Sequence, residues 1–453
     1  MGGSILRRAW PAALLLLAAP AAAGTTKSGK FFRIVCDFEG PRAAALALET
    51  AEATWPIAAR LFGSPDARPE KPLDIHLFRT QAAYEKADAD VGGGRFKENL
   101  CFAHAGSKAA YLLLQPQCSD DALAAIGLPL LTRRLLAHEA AHLVRYETIP
   151  SPDSHPGWLV HGAATWVEEE VLAALRLTPG LEQDPESSTD LRRAADLLAR
   201  NQLPGARQVF RDQVEGLKFY ERYAVTGLFF RFLKDGKHRA AFDSLLAEAR
   251  RLAGGEGTSG RLLEFVEKTW GAEGLAALDG EFAAFLRSKS PDWDQGIRGF
   301  RSLEPAGKDW IQIAFPETNA IAWRTSSSKG SEYTISGEVE IWPGATRQMN
   351  VLLAQAGDGY VSVSMVADYG VTVFRYHSKE DRWEQLGDAR ASGLDTGKKT
   401  PFRVDVRGGR LEVFLGAKRA LAVPLGSRET KGPWGLGAQA GSAGRWSAVR
   451  MRE

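Results

Sequence analysis

Four of the eight histidines fall within 24 residues: His138, His142, His155 and His161. Two of them belong to His138-Glu139-Ala140-Ala141-His142, an H-E-x-x-H sequence. On a helix, positions i and i+4 share one face, so both imidazoles can reach a single ion. The ion that this donor set suits is zinc. Glu139, one position along, lies beside that face, where it can take a proton from metal-activated water. The competing reading is a buried helix whose histidines bond to the chain. The glutamate between them argues against it. A catalytic zinc site also needs a third protein ligand and one open position. The candidates downstream are His161, Glu168, Glu169 and Glu170, with His155 as a loop alternative. Glu168 sits seven residues past His161, about 10.5 Å at ~1.5 Å per residue, so the two do not easily share one ion.

These residues need helices to carry them. Leu130, Leu131, Leu135 and Leu136 precede the motif, and neither Gly nor Pro occurs from 131 to 149. The spacing therefore predicts a helix through His138 and His142. Upstream, strands are predicted at 31–36, 73–78, 99–104 and 109–115, with helices at 41–62 and 80–88. Downstream, helices are predicted at 158–175, 188–200, 216–235, 238–253, 260–269 and 273–288. Beyond Ser290-Pro291 the pattern changes to short alternating runs between Gly, Asp and Lys turns. These runs lie at 332–342, 348–355, 359–366, 370–376, 401–407, 410–416, 418–424, 433–439 and 445–451. Seven of the twelve tryptophans lie at or beyond Trp293, which gives this part its own aromatic core. The fold class is α+β, followed by an all-β antiparallel sandwich.

The whole chain sets bounds on these readings. Its 453 residues exceed one ordinary core. Fifty-seven basic and 55 acidic residues give a net charge of +2, with no electrostatic reason to expect nucleic acid. Three cysteines are too few for a disulfide scaffold or a cysteine-rich metal domain. Residues 1–23 read as a signal peptide: Arg7-Arg8, an apolar run from Ala12 to Ala19, then Ala21-Ala22-Ala23. The expectation is a secreted or periplasmic protein with no membrane span. In an oxidising compartment Cys101 and Cys118 could pair, leaving Cys36, though three buried thiols would fit as well. Domains are expected at 24–295 and 296–453.

Pro156-Gly157-Trp158-Leu159-Val160-His161-Gly162-Ala163-Ala164, with the H-E-x-x-H sequence, resembles the gluzincin metallopeptidases. That clan holds thermolysin-like and aminopeptidase-like enzymes. In many of them W-L-x-E-G-x-A opens the next helix and its Glu is the third ligand. Here the match is in register, with His161 at that position. The resemblance implies a zincin-like metallopeptidase fold with zinc on His138, His142 and His161. It implies Glu139 as general base and a peptide or protein substrate. Tyr220-Glu221-Arg222-Tyr223-Ala224-Val225-Thr226 resembles a later helix of that clan. This implies Tyr223 as the donor to the oxyanion, with Tyr220 as its rival, and simple packing as the other reading of Tyr223. His238 reads as a surface residue at a helix junction. Residues 109–114 could be the strand edging the cleft, or an interior strand. Segments such as 402–414 and 435–443 resemble concanavalin-like jelly rolls, which implies a possible glycan or protein ligand. Trp383 or Trp446 could stack on a sugar, or serve core packing or edge protection. The leading expectation is an exported zinc metallopeptidase. The alternative is a secreted glycan- or protein-binding protein on an inactive zincin-like scaffold.

Overall fold

The computed structural model describes residues 24–453, except 98, 115–126, 150–154, 179–184, 215, 254, 256, 290–292, 295–302, 307–308, 315–319, 328–329, 345, 355–358, 381, 426–431 and 441. The expected signal peptide and Cys118 lie outside the described residues. The first part builds a five-stranded sheet from β1 (Thr26–Ser28), β2 (Phe32–Cys36), β3 (Leu73–Phe78), β4 (Cys101–His104) and β5 (Ala109–Leu113). Their order is β1-β2-β3-β5-β4. β2, β3 and β5 run parallel, and β1 and β4 pair antiparallel at the two edges. β3 alternates, with Leu73, Ile75 and Leu77 buried, as a strand with one covered face requires. β5 is buried at all five positions, because Ala110 and Leu112 face the helical core on one side and Ala109, Tyr111 and Leu113 pack with Tyr84 and Phe102 on the other. With β3 and β4 flanking it, the strand at 109–114 is interior, and β4 is the edge.

Helix α1 (Pro41–Leu61) buries Ala43, Ala44, Ala47, Ala51, Ala58 and Ala59. Small side chains let a neighbouring backbone approach closely. α3 (Leu130–Thr148) packs against it and buries Ala137, Ala140 and Ala141 in the same core. α2 (Gln81–Ala87) follows β3, with Thr80 capping its first turn. The rest is helical: α4 (Gly157–Ala174), α5 (Pro185–Ala199), α6 (Ala206–Phe210), α7 (Phe219–Asp235), α8 (Arg239–Leu252) and α9 (Thr258–Ser288). α9 takes in the two helices predicted at 260–269 and 273–288. Gly271 breaks it with a φ of 64°, a left-handed conformation that favours glycine. No described helix is long and apolar enough to cross a membrane.

From Trp293 onward the described elements are strands. Two seven-stranded antiparallel sheets stack as a sandwich of jelly-roll kind, so the chain is mixed α+β with an antiparallel β-sandwich. One sheet contains β6 (Trp293–Asp294), β9 (Ala320–Ser327), β11 (Gln348–Ala354), β12 (Gly359–Val366), β13 (Gly370–His377), β14 (Arg382–Arg390) and β18 (Pro433–Ala438). The other contains β7 (Leu303–Ala306), β8 (Asp309–Ile313), β10 (Tyr333–Ile341), β15 (Lys399–Arg407), β16 (Arg410–Leu415), β17 (Lys418–Pro424) and β19 (Ala443–Arg452). Val351, Val361, Val363, Val371 and Val373 from the first meet Ile335, Val404, Val406 and Val413 from the second in one core. Trp446 is fully buried there, and its Nε1 donates to Gln312 Oε1 at 2.8 Å. It is a core residue, not a stacking platform.

Candidate functional site

Three helices build the site. α3 carries His138, Glu139 and His142, and its apolar face is held by α1. α4 begins at Gly157, where the chain re-enters the core behind Pro156. Its first N–H groups need acceptors, and Asp212 supplies both carboxylate oxygens: Gly157 N donates at 3.0 Å and Trp158 N at 3.1 Å. That cap fixes the helix turn that presents His161. α7 then crosses α4 at short range. A Cβ added to Gly162 would lie 2.8 Å from Phe230 Cβ, and one added to Gly227 would lie 2.9 Å from Thr165 Cγ2. The two glycines let the helices interlock beside His161, so Tyr223 of α7 reaches it.

The resulting cluster is tight. His138, His142 and His161 each offer one ligand atom, and these atoms all lie within 4.8 Å of one another. Ring centroids stand 4.9 Å apart for His138 and His142, 5.8 Å for His142 and His161, and 6.3 Å for His138 and His161. Tyr223 lies 4.8 Å from the His161 ring and 6.2 Å from that of His138. The residues fit a divalent metal. His161 Nδ1 is buried without a hydrogen-bond partner, an unsatisfied donor or acceptor that normally costs stability. Three imidazoles are also a competent zinc donor set.

Electrostatics favours that use. Burial, with His138, Arg145 and Arg222 nearby, pushes the His161 imidazole down to about 3. Burial also holds His142 well below its ordinary value. Both rings are thus neutral, with a lone pair available. Burial pushes the Glu139 carboxyl up, while the neighbouring His138, the Cys101 thiol and the Ala103 N–H pull it back toward the ionised form. Burial also raises the Tyr223 phenol, which therefore remains a hydroxyl donor.

The competing candidates go elsewhere. His155 is buried, with Nε2 3.0 Å from Ala249 O. Glu169 and Glu170 face Arg231. Glu168 lies beside His138 and Arg134, outside the three-histidine cluster. Tyr220 is half exposed under the Arg193 guanidinium, and Thr226 bonds back to Arg222 O at 3.0 Å. His238 opens α8 and pairs with Glu281. The residue of the site that sequence reading missed is Cys101. Considered there as a disulfide partner, it sits on edge strand β4 with its side chain hydrogen-bonded to Glu139. Cys36 is buried, and its thiol is pushed up to about 12.

No family model matches the chain, and no curated protein matches it. Solved structures do. Carbohydrate-binding module CBM66 from Bacillus subtilis matches at 14% identity, over 36% of this chain and 91% of its own, with a TM-score of 0.28. The VIP36 exoplasmic/lumenal domain, in a Ca2+/Man3GlcNAc-bound form, matches at 13% identity, over 36% and 83%, with a TM-score of 0.28. The carbohydrate recognition domain of Emp46p, metal-free, matches at 9% identity, over 35% and 87%, with a TM-score of 0.28. These findings correct the expected family. Over about a third of its length the chain is similar to these domains, and no match places it among the gluzincin zinc metallopeptidases. The labels protease and metallopeptidase fall with that assignment. The physical reason is the shortness of the motif. Two histidines on one helix face, with a glutamate beside it, meet a requirement of metal chemistry that unrelated folds reach independently.

Proposed function

We propose that the chain is a zinc-dependent hydrolase whose C-terminal sandwich binds a glycan. The observation that supports the hydrolase is the meeting of three histidine ligand atoms within 4.8 Å, beside a buried Glu139. Zinc on His138, His142 and His161 would supply Lewis acidity toward a carbonyl and a lowered pKa for water. The side chains do the rest. Glu139 accepts a proton from the attacking water and returns it to the leaving group. The Cys101 thiol and the Ala103 N–H hold its carboxylate in place for both transfers. Tyr223 keeps its proton and donates a hydrogen bond to the oxyanion. The bond attacked is an amide or ester carbonyl, the electrophile that such a constellation suits. The test is metal analysis joined to hydrolysis of amide and ester substrates. About one zinc per chain, with turnover lost on chelation and regained on readdition, is the expected result. A chain that takes up no zinc at neutral pH refutes the reading.

An aromatic strip supports the glycan ligand. On one sheet Trp383 is 47% exposed, although it is a large apolar side chain. Its ring lies 4.9 Å from Tyr376 and 5.6 Å from Tyr360, and Tyr360 lies 5.6 Å from Trp323. Gly435 leaves room for the Trp323 indole, which a Cβ there would meet at 2.9 Å. Rings of this kind stack on the apolar face of a sugar. Trp383→Ala should weaken the affinity for a bound glycan about tenfold, the equivalent of one aromatic contact. Glycan-array screening followed by calorimetry measures this. Equal binding by wild type and variant removes Trp383 from the site.

A further inference from the structure

Residues outside the ligand set form a second line behind it. Arg134, His138 and His142 follow one another at steps of four on α3, so they form one stripe. His161 and Glu168, two turns apart on α4, form another. The stripes face each other in antiparallel fashion: His161 meets the His142 end, and Glu168 meets the Arg134 end. Glu168 Oε1 lies 3.0 Å from Arg134 Nη1, and Glu168 Oε2 lies 3.5 Å from His138 Nδ1. All three side chains are buried. A carboxylate in such a place is costly unless a cation pairs with it, and Arg134 is that cation.

Resting on the zinc reading above, we infer that Glu168 is a positioning residue for His138 and that Arg134 holds Glu168 in turn. A neutral imidazole carries one N–H, and the group facing its other nitrogen decides which one. With the carboxylate at Nδ1, the proton sits there and the Nε2 lone pair turns toward His142 and His161. Arg134 occupies the other carboxylate oxygen and keeps Glu168 out of the ligand set. The seven-residue interval from His161 thus gives Glu168 a place beside the ligand, not on the metal.

The test uses the full-length chain, stripped of metal and reloaded. Zinc affinity is read by competition with a chelating dye. The cobalt(II)-loaded protein is read by its visible spectrum, and folding by circular dichroism. Glu168→Gln should bind zinc 10–100-fold more weakly and shift the cobalt bands, with folding unchanged. Glu168→Asp keeps the charge and should recover part of the affinity. It also serves as the test if the Gln variant does not fold. Wild-type affinity and spectrum in the folded variant overturn the inference alone. A wild-type chain that takes up no zinc overturns it together with the proposed function.

Discussion

Glu139→Gln is expected to leave zinc content unchanged and to lower kcat/KM by 10²–10⁴-fold, the range for loss of a positioned general base. The substitution is nearly isosteric, which matters at a position only 5% exposed. The amide oxygen still accepts from the Ala103 N–H and the Cys101 thiol, so the local hydrogen bonds survive. What disappears is the capacity to take a proton. Burial already resists the carboxylate charge there, so a neutral amide should not destabilise the fold. Zinc analysis beside steady-state rates on one amide or ester substrate separates the effects. Intact zinc with an unchanged rate would remove Glu139 from the chemistry. Lost zinc would show that the carboxylate serves the metal site instead.

How much of this site was legible in the sequence depends on how local each relation is. His138, Glu139 and His142 lie within one helical turn and a half, and helix geometry alone places them together. His161 lies on the next helix. Its place beside them depends on the Asp212 cap and on the Gly162–Gly227 interlock, neither of which has a local signature. Cys101 comes from a strand 38 residues away from Glu139, and only the sheet order makes β4 an edge. Reading 109–114 as a possible cleft edge failed for the same reason, since pairing partners are not encoded within a strand. In the sandwich, β14 escaped notice. Arg382-Trp383-Glu384-Gln385 exposes both faces at the sheet edge, so it lacks the apolar alternation by which the other strands were found. β9 and β8 were missed as well, and Trp383 gained meaning only once its neighbours on β12 and β13 were known. The family resemblance failed differently. It rested on residues that metal chemistry requires, and such residues report on the chemistry more than on ancestry.

Zinc should raise the melting temperature of the first transition by roughly 10 °C, and His161→Ala should abolish the rise. The first number follows from mass action. Free zinc at about a thousand times Kd stabilises the native state by about 4 kcal/mol. In a unit of 150–250 residues each kcal/mol moves the midpoint by about 2–4 °C. The second part follows from the ligand geometry. In the folded chain the three imidazoles are already gathered, and two are held neutral, so binding needs neither a large rearrangement nor much proton release at pH 7. Removing His161 leaves two donors on α3, a set that zinc does not hold tightly. His161→Glu restores a third donor and should restore most of the shift, because carboxylate oxygen also binds zinc. Calorimetric scans of the three chains, each with chelator or zinc present, measure all six states. The sandwich supplies an internal control. Its core is separate from the cluster that contains α3 and α4, so its own transition should not move with zinc. A shift shared by both transitions, or one that survives His161→Ala, would mean that zinc binds somewhere other than the three histidines.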